Sequence, residues 1–292
     1  MAETRTLAVL GTGTMGRGIA QLCAGRGIQV RMYDVADAQL ERAMSGIRGD
    51  LEKLIQKGRL SQAECAATLE KLTPTRDIAQ AVADAEVVIE AAPENMALKI
   101  ELFKQVVSHA PATALLASNT SSLSLTEIGQ GIGQPERTLG LHFFNPPPVM
   151  PLLEIVRGLG TAAETVERAL SLAKQIGKEP IVVRDVPGFA SSRLGVILGA
   201  EAMRMVESGV ASVADIDRAM ELGYRHPMGP LKLTDLVGLD VRLAILEHLQ
   251  REIGDQFRPP ALLRQLVRAG RLGKKVGLGF YRWTEQGPEP AL

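Results

Sequence analysis

The sequence predicts an α/β fold, a mostly parallel sheet with an inserted helical hairpin, followed by an all-helical C-terminal domain. Three observations carry this reading. The apolar run Leu7-Ala8-Val9-Leu10 breaks at Gly11-Thr12-Gly13-Thr14-Met15-Gly16, and a helical pattern from Ile19 to Ala24 follows at once. Short apolar runs then alternate with helical stretches as far as Val183, the order of a parallel sheet joined by crossover helices. Beyond Asp185-Val186-Pro187-Gly188 only helical periodicity remains, to about Ala269. Strand, Gly-x-Gly-x-x-Gly turn and helix make the sheet one of Rossmann type. The expected domains are residues 1–184 and 185–292.

In the turn, Gly11 permits the tight bend and Gly13 lets the backbone approach a pyrophosphate. Gly16 lets the helix pack against the strand, so that its first amides, at Thr14 and Met15, face the phosphates. The next apolar run ends at Asp34. A carboxylate there accepts both ribose hydroxyls of NAD and repels a 2′-phosphate. Arg31 lies three residues earlier, inside the strand, and no Arg follows Asp34 directly, so NAD is the expected cofactor.

A long helix follows, with Leu40, Met44, Ile47, Leu51, Leu54 and Ile55 on one stripe, and stops at Gly58. Ser61-Gln62-Ala63-Glu64 reads as a capping box that opens a second helix through Leu72. The two form a hairpin between the second and third strands. Lys53, Lys57 and Arg59 cluster near its tip, either as a solvated face or as receivers of substrate phosphates. Strands are predicted at 86–89, 114–117, 138–144 and 152–156, with helices over 98–107 and near 125–128. Thr161-Ala162-Ala163-Glu164 reads as a second capping box, opening a helix that ends at Gly177, and 180–183 closes the sheet. In the second domain Ser212 caps a helix with Asp215 at its third position. The apolar helix from Leu194 to Met205 belongs in a core or a dimer interface.

The chain of 292 residues is long enough for two domains, and its 33 basic residues balance 33 acidic ones. No net field therefore draws it to nucleic acid or to a membrane surface. Nothing at its start resembles a signal peptide, and no apolar run is long enough to span a bilayer. Cys23 and Cys65 read as core hydrophobes in a reducing compartment, so a cytoplasmic location is expected. No Cys/His cluster has metal-ligand spacing, so no metal is expected.

His142 and Glu154 stand six residues to either side of Pro148, in strands flanking Asn145-Pro146-Pro147-Pro148-Val149-Met150-Pro151. If the strands fold back beside each other, the two side chains come opposite on one face. A carboxylate so placed fixes which imidazole nitrogen is free, as suits a general base taking a proton from a hydroxyl while hydride leaves the same carbon. A cross-strand surface ion pair fits the pattern equally well. His109, His226 and His248 lack such a partner and read as structural. Ser118-Asn119-Thr120-Ser121-Ser122 ends a predicted parallel strand, where open α/β sheets bind ligands, and also fits a loop with a helix cap.

Together these residues resemble the L-3-hydroxyacyl-CoA dehydrogenase family, including the short-chain 3-hydroxybutyryl-CoA enzymes. The likeness covers nearly the whole chain. It runs through the glycine turn, Glu90-Ala91-Ala92-Pro93-Glu94, Ser118 to Ser122, His142-Phe143-Phe144-Asn145-Pro146 and Pro187-Gly188-Phe189. It continues through Pro227-Met228-Gly229-Pro230 and Gly277-Leu278-Gly279-Phe280-Tyr281. The resemblance implies NAD-dependent oxidation of the 3-hydroxyl of an acyl-CoA, a step of fatty-acid and other lipid metabolism. It makes His142 the catalytic base, Glu154 its orienting partner and Ser121 a hydroxyl that bonds the substrate. It places Ala91, Glu94, Lys99, Asn119, Asn145 and Lys275 at NAD, Asn145 also at the substrate, and Lys57 at coenzyme A. It makes the second domain a helical substrate and dimerisation domain, and the protein a homodimer. Ser192 stands where the family usually has Asn, and Asp50 where a hydroxyl often contacts coenzyme A. Both departures bear on the substrate.

Two other readings remain open at this stage. One is a dehydrogenase of a free hydroxy acid on the same scaffold, which would act on acetoacetate rather than acetoacetyl-CoA. The other is a non-catalytic NAD-binding protein, for which a His142–Glu154 pair has no use.

Overall fold

A computed structural model describes residues 3–292, and the chain divides into two compact units, the first ending at Val186 and the second beginning at Pro187.

The first unit is built on one sheet of eight strands: β1 (Thr6–Leu10), β2 (Gln29–Tyr33), β3 (Leu72–Thr75), β4 (Val87–Glu90), β5 (Leu115–Ser118), β6 (Thr138–Phe143), β7 (Leu152–Arg157) and β8 (Glu179–Arg184). Their order across the sheet is β3-β2-β1-β4-β5-β6-β7-β8. The strands from β3 to β6 pair in parallel, β7 turns back antiparallel to β6, and β8 runs parallel to β7. β4, β5 and β6 are buried at every position, as strands covered on both faces must be, which is why they read as continuous apolar runs.

The crossover helices are α1 (Thr14–Ala24), α2 (Asp37–Gln56), α3 (Gln62–Glu70), α4 (Ile78–Val82), α5 (Met96–His109), α6 (Leu125–Gly131) and α7 (Ala163–Gln175). Of its predicted stripe α2 buries Leu40, Ile47 and Leu51, with Ala43 buried beside them, while Met44, Leu54 and Ile55 are partly buried against the same core. The α3 capping box forms with both reciprocal bonds: Glu64 N–H donates to Ser61 Oγ, and Ser61 N–H to the Glu64 carboxylate. That helix ends at Glu70, however, and Leu72 opens β3, a strand the periodicity did not reveal. The helical hairpin accordingly sits between β2 and the edge strand β3. The capping box expected at Thr161 does not form. The Thr161 hydroxyl is buried, donating to Thr138 O at 2.7 Å and accepting from Gly158 N–H at 3.0 Å, and α7 starts behind Ala162 without a side-chain cap. A tie between the ends of β6 and β7 claims the hydroxyl first.

The second unit comprises α8 (Ser191–Glu207), α9 (Val213–Arg218), α10 (Pro230–Val237), α11 (Leu239–Glu252), α12 (Ala261–Arg268) and a terminal hairpin of β9 (Tyr281–Thr284) and β10 (Gly287–Pro290). It is helical, with this hairpin as an addition the sequence reading did not contain. α8 turns Val196, Ala200 and Met203 onto Leu231, Leu246, Leu249, Phe280 and Tyr281. Two buried carboxylates stitch the hairpin down. Asp217 accepts from the N–H groups of Leu231 and Lys232, at the start of α10, and from the Tyr281 hydroxyl. Asp235 accepts from the N–H groups of Phe280 and Tyr281 and from Trp283 Nε1.

Candidate active site

The strand order of the first unit reverses between β1 and β4, the point at which open α/β sheets form their ligand crevice. Two loops meet there, the glycine turn after β1 and the Ala91–Glu94 loop after β4. Gly11 has φ +89, and a Cβ on it would fall 2.8 Å from Ala91 O. A Cβ on Gly16 would fall 1.8 Å from Gly11 O, so only glycine brings α1 this close to the turn. Gly13 caps α1 with no side-chain bond, there is no acid in the first turn, and nothing lies within 4 Å of where its Cβ would be. The first amides of α1, at Thr14 and Met15, thus lack a protein acceptor of the usual capping kind, beside open space. This fits a pyrophosphate.

Asp34 follows β2. Its Oδ2 accepts from both the N–H and the hydroxyl of Thr12, each at 2.9 Å, which holds the carboxylate beside the glycine turn. Arg31 is bound by Asp84, with Nη2 2.9 Å from Oδ2, so the one cation near Asp34 in sequence has its own partner. These residues fit NAD.

Below the crevice lies a buried carboxylate that sequence reasoning passed over. Glu90 ends β4 fully buried and is the register partner of Ser118 at the end of β5. Its Oε1 accepts from Lys99 Nζ at 2.7 Å and from Ala92 N–H at 2.6 Å, and its Oε2 accepts from Ser118 Oγ at 2.5 Å. Lys99, also buried, further donates to Ala92 O at 3.2 Å and lies 3.4 Å from Glu94 Oε2. Glu94 in turn accepts from Thr120 Oγ1, Ser121 N–H and Ser122 Oγ. Glu94 and Lys99 therefore shape the Ser118–Ser122 loop and set where Ser121 stands. The three donors of Lys99 all face oxygens of this loop system. Asn119 Oδ1 accepts from Phe143 N–H at 3.0 Å, which ties the end of β5 to the end of β6. The only sequence signal for the Glu90 role was an acid closing a wholly apolar strand.

His142 and Glu154 are register partners across β6 and β7, with Nδ1 of the ring 2.7 Å from Glu154 Oε2. The histidine is 7% exposed and the glutamate 0%, which removes the reading as a surface ion pair. The Phe144 ring packs 4.6 Å from the imidazole, centroid to centroid. Donation from Nδ1–H to a carboxylate fixes the tautomer, leaving the lone pair on Nε2. The turn between the strands carries a cis Asn145–Pro146 bond, with Asn145 exposed. Lys178 holds the turn from one side, donating to Pro147 O and Met150 O, each at 2.5 Å. Gly18 meets it from the other: a Cβ there would fall 2.7 Å from Pro147 Cδ. The proline-rich turn thus seats on α1, the helix of the glycine turn.

Lys57 is exposed at the C-terminal cap of α2, while Lys53 and Arg17 both pair with Asp50, at 3.3 and 3.2 Å. In the second unit, Ser192 lies half-buried in the first turn of α8, and Lys275 Nζ is 2.6 Å from both carboxylate oxygens of Asp240. Cys23 is buried, and burial pushes its thiol up to about 12, so it is inert. Among the described residues there is no cluster of metal-ligating side chains, and no helix is long and apolar enough to cross a membrane.

Comparison with known proteins agrees with this geometry. Residues 6–186 match the family model described as 3-hydroxyacyl-CoA dehydrogenase, NAD binding domain, and residues 188–283 its C-terminal domain. The chain is 43% identical over 285 residues to a probable 3-hydroxybutyryl-CoA dehydrogenase of Bacillus subtilis, covering 97% of this chain and 99% of that protein. It is 45% identical over 288 residues to 3-hydroxyadipyl-CoA dehydrogenase of Escherichia coli, covering 98% of this chain and 60% of that longer protein. Among solved structures, (S)-3-hydroxybutyryl-CoA dehydrogenase from Ralstonia eutropha superposes with a TM-score of 0.93 at 40% identity, covering 97% of this chain and 100% of that one.

Proposed function

The chain belongs to the 3-hydroxyacyl-CoA dehydrogenase family, and from that premise we propose that it oxidises the 3-hydroxyl of an (S)-3-hydroxyacyl-CoA to the 3-ketoacyl-CoA with NAD as oxidant. The observation that carries the reading is the buried 2.7 Å contact between His142 Nδ1 and Glu154, next to a turn seated on the dinucleotide helix. Bound NAD supplies the acceptor for the hydride leaving C3. His142 takes the hydroxyl proton at Nε2, and Glu154 holds the ring in that tautomer and stabilises the imidazolium that forms. Ser121, placed by Glu94, hydrogen-bonds the reacting oxygen. Ser192 assists there with a hydroxyl in place of an amide.

Gly11, Gly13, Thr14, Met15 and Gly16 bind the pyrophosphate, and Asp34 the adenosine ribose. Ala91, Glu94 and Asn119 line the nicotinamide side, with Lys99 supporting Glu94. Asn145 contacts both cofactor and substrate, and Lys275 contacts the cofactor. Lys57 meets the phosphates of coenzyme A. The enzyme acts as a cytoplasmic homodimer through its helical unit, without nucleic-acid or membrane partners. The apolar side chains exposed on that unit include Leu194, Leu222, Tyr224, Leu233, Leu236 and Val241, which supports the dimer.

The test is NADH oxidation followed by absorbance, with acetoacetyl-CoA and with acetoacetate. Turnover of the thioester and little of the free acid is expected. Equal or greater turnover of acetoacetate contradicts a coenzyme A substrate, and turnover of neither contradicts a dehydrogenase of this class.

A further inference from the structure

The topology of the first unit says where the nicotinamide half of a dinucleotide lies. Asp34 follows β2, on one side of the glycine turn after β1, and β4 and β5 stand on the other side. With the adenosine ribose at Asp34 and the pyrophosphate on the turn, the second half of the cofactor passes over the loops that follow β4 and β5. Gly11 brings the turn against the first of these loops, where a Cβ would fall 2.8 Å from Ala91 O. Glu94 ties that loop to the second, accepting from Thr120 Oγ1, Ser121 N–H and Ser122 Oγ.

The charges gathered at these loops do not balance. Glu90 and Glu94 face a single ammonium, Lys99, whose Nζ is 2.7 Å from Glu90 Oε1 and 3.4 Å from Glu94 Oε2. Both acids are held as carboxylates. Glu90 Oε1 takes two groups that can only donate, the Lys99 ammonium and the Ala92 N–H. Ser118 Oγ accepts from Thr120 N–H and gives its own proton to Glu90 Oε2. Glu94 Oε1 accepts from the Ser121 N–H, again a group that can only donate. Two carboxylates against one ammonium leave one negative charge. Glu90 and Lys99 are 0% and 1% exposed and form the closer pair, so the surplus is presented at Glu94, whose side chain is 39% exposed.

We propose that Glu94, its charge left uncancelled because Glu90 claims Lys99, discriminates between the two redox forms of the cofactor and holds NAD⁺ more tightly, relative to NADH, than an uncharged loop would. This rests on the reading of the crevice as the NAD site. The oxidised nicotinamide ring is a cation and the reduced ring is neutral, so a fixed carboxylate beside it favours the first. The contacts of the adenosine and pyrophosphate are common to both forms and cancel from the comparison. Oxidation of the substrate moves a hydride, one hydrogen with two electrons, from C3 to the ring and cancels the ring charge, while the hydroxyl proton goes to His142. Glu94 therefore opposes that step, relative to an uncharged loop, and favours its reverse, the reduction of a 3-ketoacyl-CoA. Glu90 and Lys99 act through Glu94 and touch neither cofactor nor substrate; Glu90 is the positioning residue that decides where the surplus charge resides.

The experiment measures the Kd of the full-length protein for NAD⁺ and for NADH by calorimetry, without acyl substrate, in the wild type, Glu94→Gln, Glu94→Asp and Glu90→Gln. The quantity read is the ratio of the two constants, which a loss of loop order common to both forms leaves unmoved. Glu94→Gln removes the charge and keeps an oxygen acceptor. It is expected to raise Kd(NAD⁺)/Kd(NADH) about 10-fold, which for a two-electron couple raises the bound potential by about 30 mV. Glu90→Gln leaves Lys99 to cancel Glu94 and is expected to raise the ratio in the same direction. Glu94→Asp keeps the charge and is expected to keep the ratio near that of the wild type. An unchanged ratio in folded Glu94→Gln, or an equal rise in Glu94→Asp, overturns the inference and leaves the NAD reading standing. An unchanged ratio in folded Glu90→Gln overturns the charge count. A wild type that binds neither nucleotide overturns the NAD reading and this inference with it. Glu94 is exposed, so its two variants decide the matter even where Glu90→Gln fails to fold.

Discussion

One hydrogen bond decides which atom of His142 does chemistry. With Nδ1 committed to a fully buried Glu154, the imidazole presents Nε2 in a defined orientation. Asp34 is proposed to do comparable work for the cofactor. Its Oδ2 accepts from the N–H and the hydroxyl of Thr12, which fixes the plane of the carboxylate that the proposed function turns to ribose hydroxyls. Removing a charged acceptor of this kind costs about 1.5–3 kcal/mol of binding, so Asp34→Ala is expected to weaken NADH about 10–100-fold. The same change should narrow the preference over NADPH, since the charge that repels a 2′-phosphate is gone. Fluorescence titration of both nucleotides checks this, and a wild type that binds NADPH more tightly refutes the assignment.

The terminal hairpin shows at the element scale how the helical unit is held together. β9 sets Tyr281 into the core of that unit, with Trp283 packed against it, and is tied down by Asp217 and Asp235. Burial raises both carboxyls above the usual carboxylate range, against the hydrogen bonds that lower them. For a raised carboxyl the folded state binds the proton more readily than the unfolded one. Its titration therefore favours folding fully below the ordinary range, and that contribution is lost as pH rises through the raised value. Asp235→Asn trades an oxygen acceptor for an amide donor facing three donors. It is expected to destabilise the second unit by about 1–3 kcal/mol, read as an earlier thermal transition, while NADH binding to the first unit survives. An unchanged transition contradicts the stitching role. Legibility in the sequence divided along the same line. The paired strands around the proline-rich turn could be read, because equal spacing from Pro148 and the period of two fix that His142 and Glu154 share a face. β3 could not, since Leu72-Thr73-Pro74-Thr75 is four residues with a proline, and the helix before it carries no stop signal. The hub at Glu90 was hidden because its partners, Lys99 and Ser118, arrive from two other elements. Thr161 had a capping pattern, yet a tertiary bond took its hydroxyl.

For the molecule as a whole, the balanced charge leaves recognition to local groups, and the first unit brings a glycine turn and a buried histidine–glutamate pair. The exposed apolar residues of the helical unit set the expected assembly. Sedimentation equilibrium should give twice the monomer mass of 31.3 kDa, and a monomer at micromolar concentration contradicts the dimer. The central claim, that His142 is the base of an NAD-dependent oxidation, is tested most directly by His142→Ala. Its turnover with acetoacetyl-CoA and NADH is measured beside that of Glu154→Gln, with NADH affinity determined on the same samples. The account predicts a fall of about 10²–10⁴-fold for His142→Ala, a large fall for Glu154→Gln, and NADH binding within a few-fold of wild type for both. A His142→Ala enzyme that turns over near the wild-type rate contradicts it.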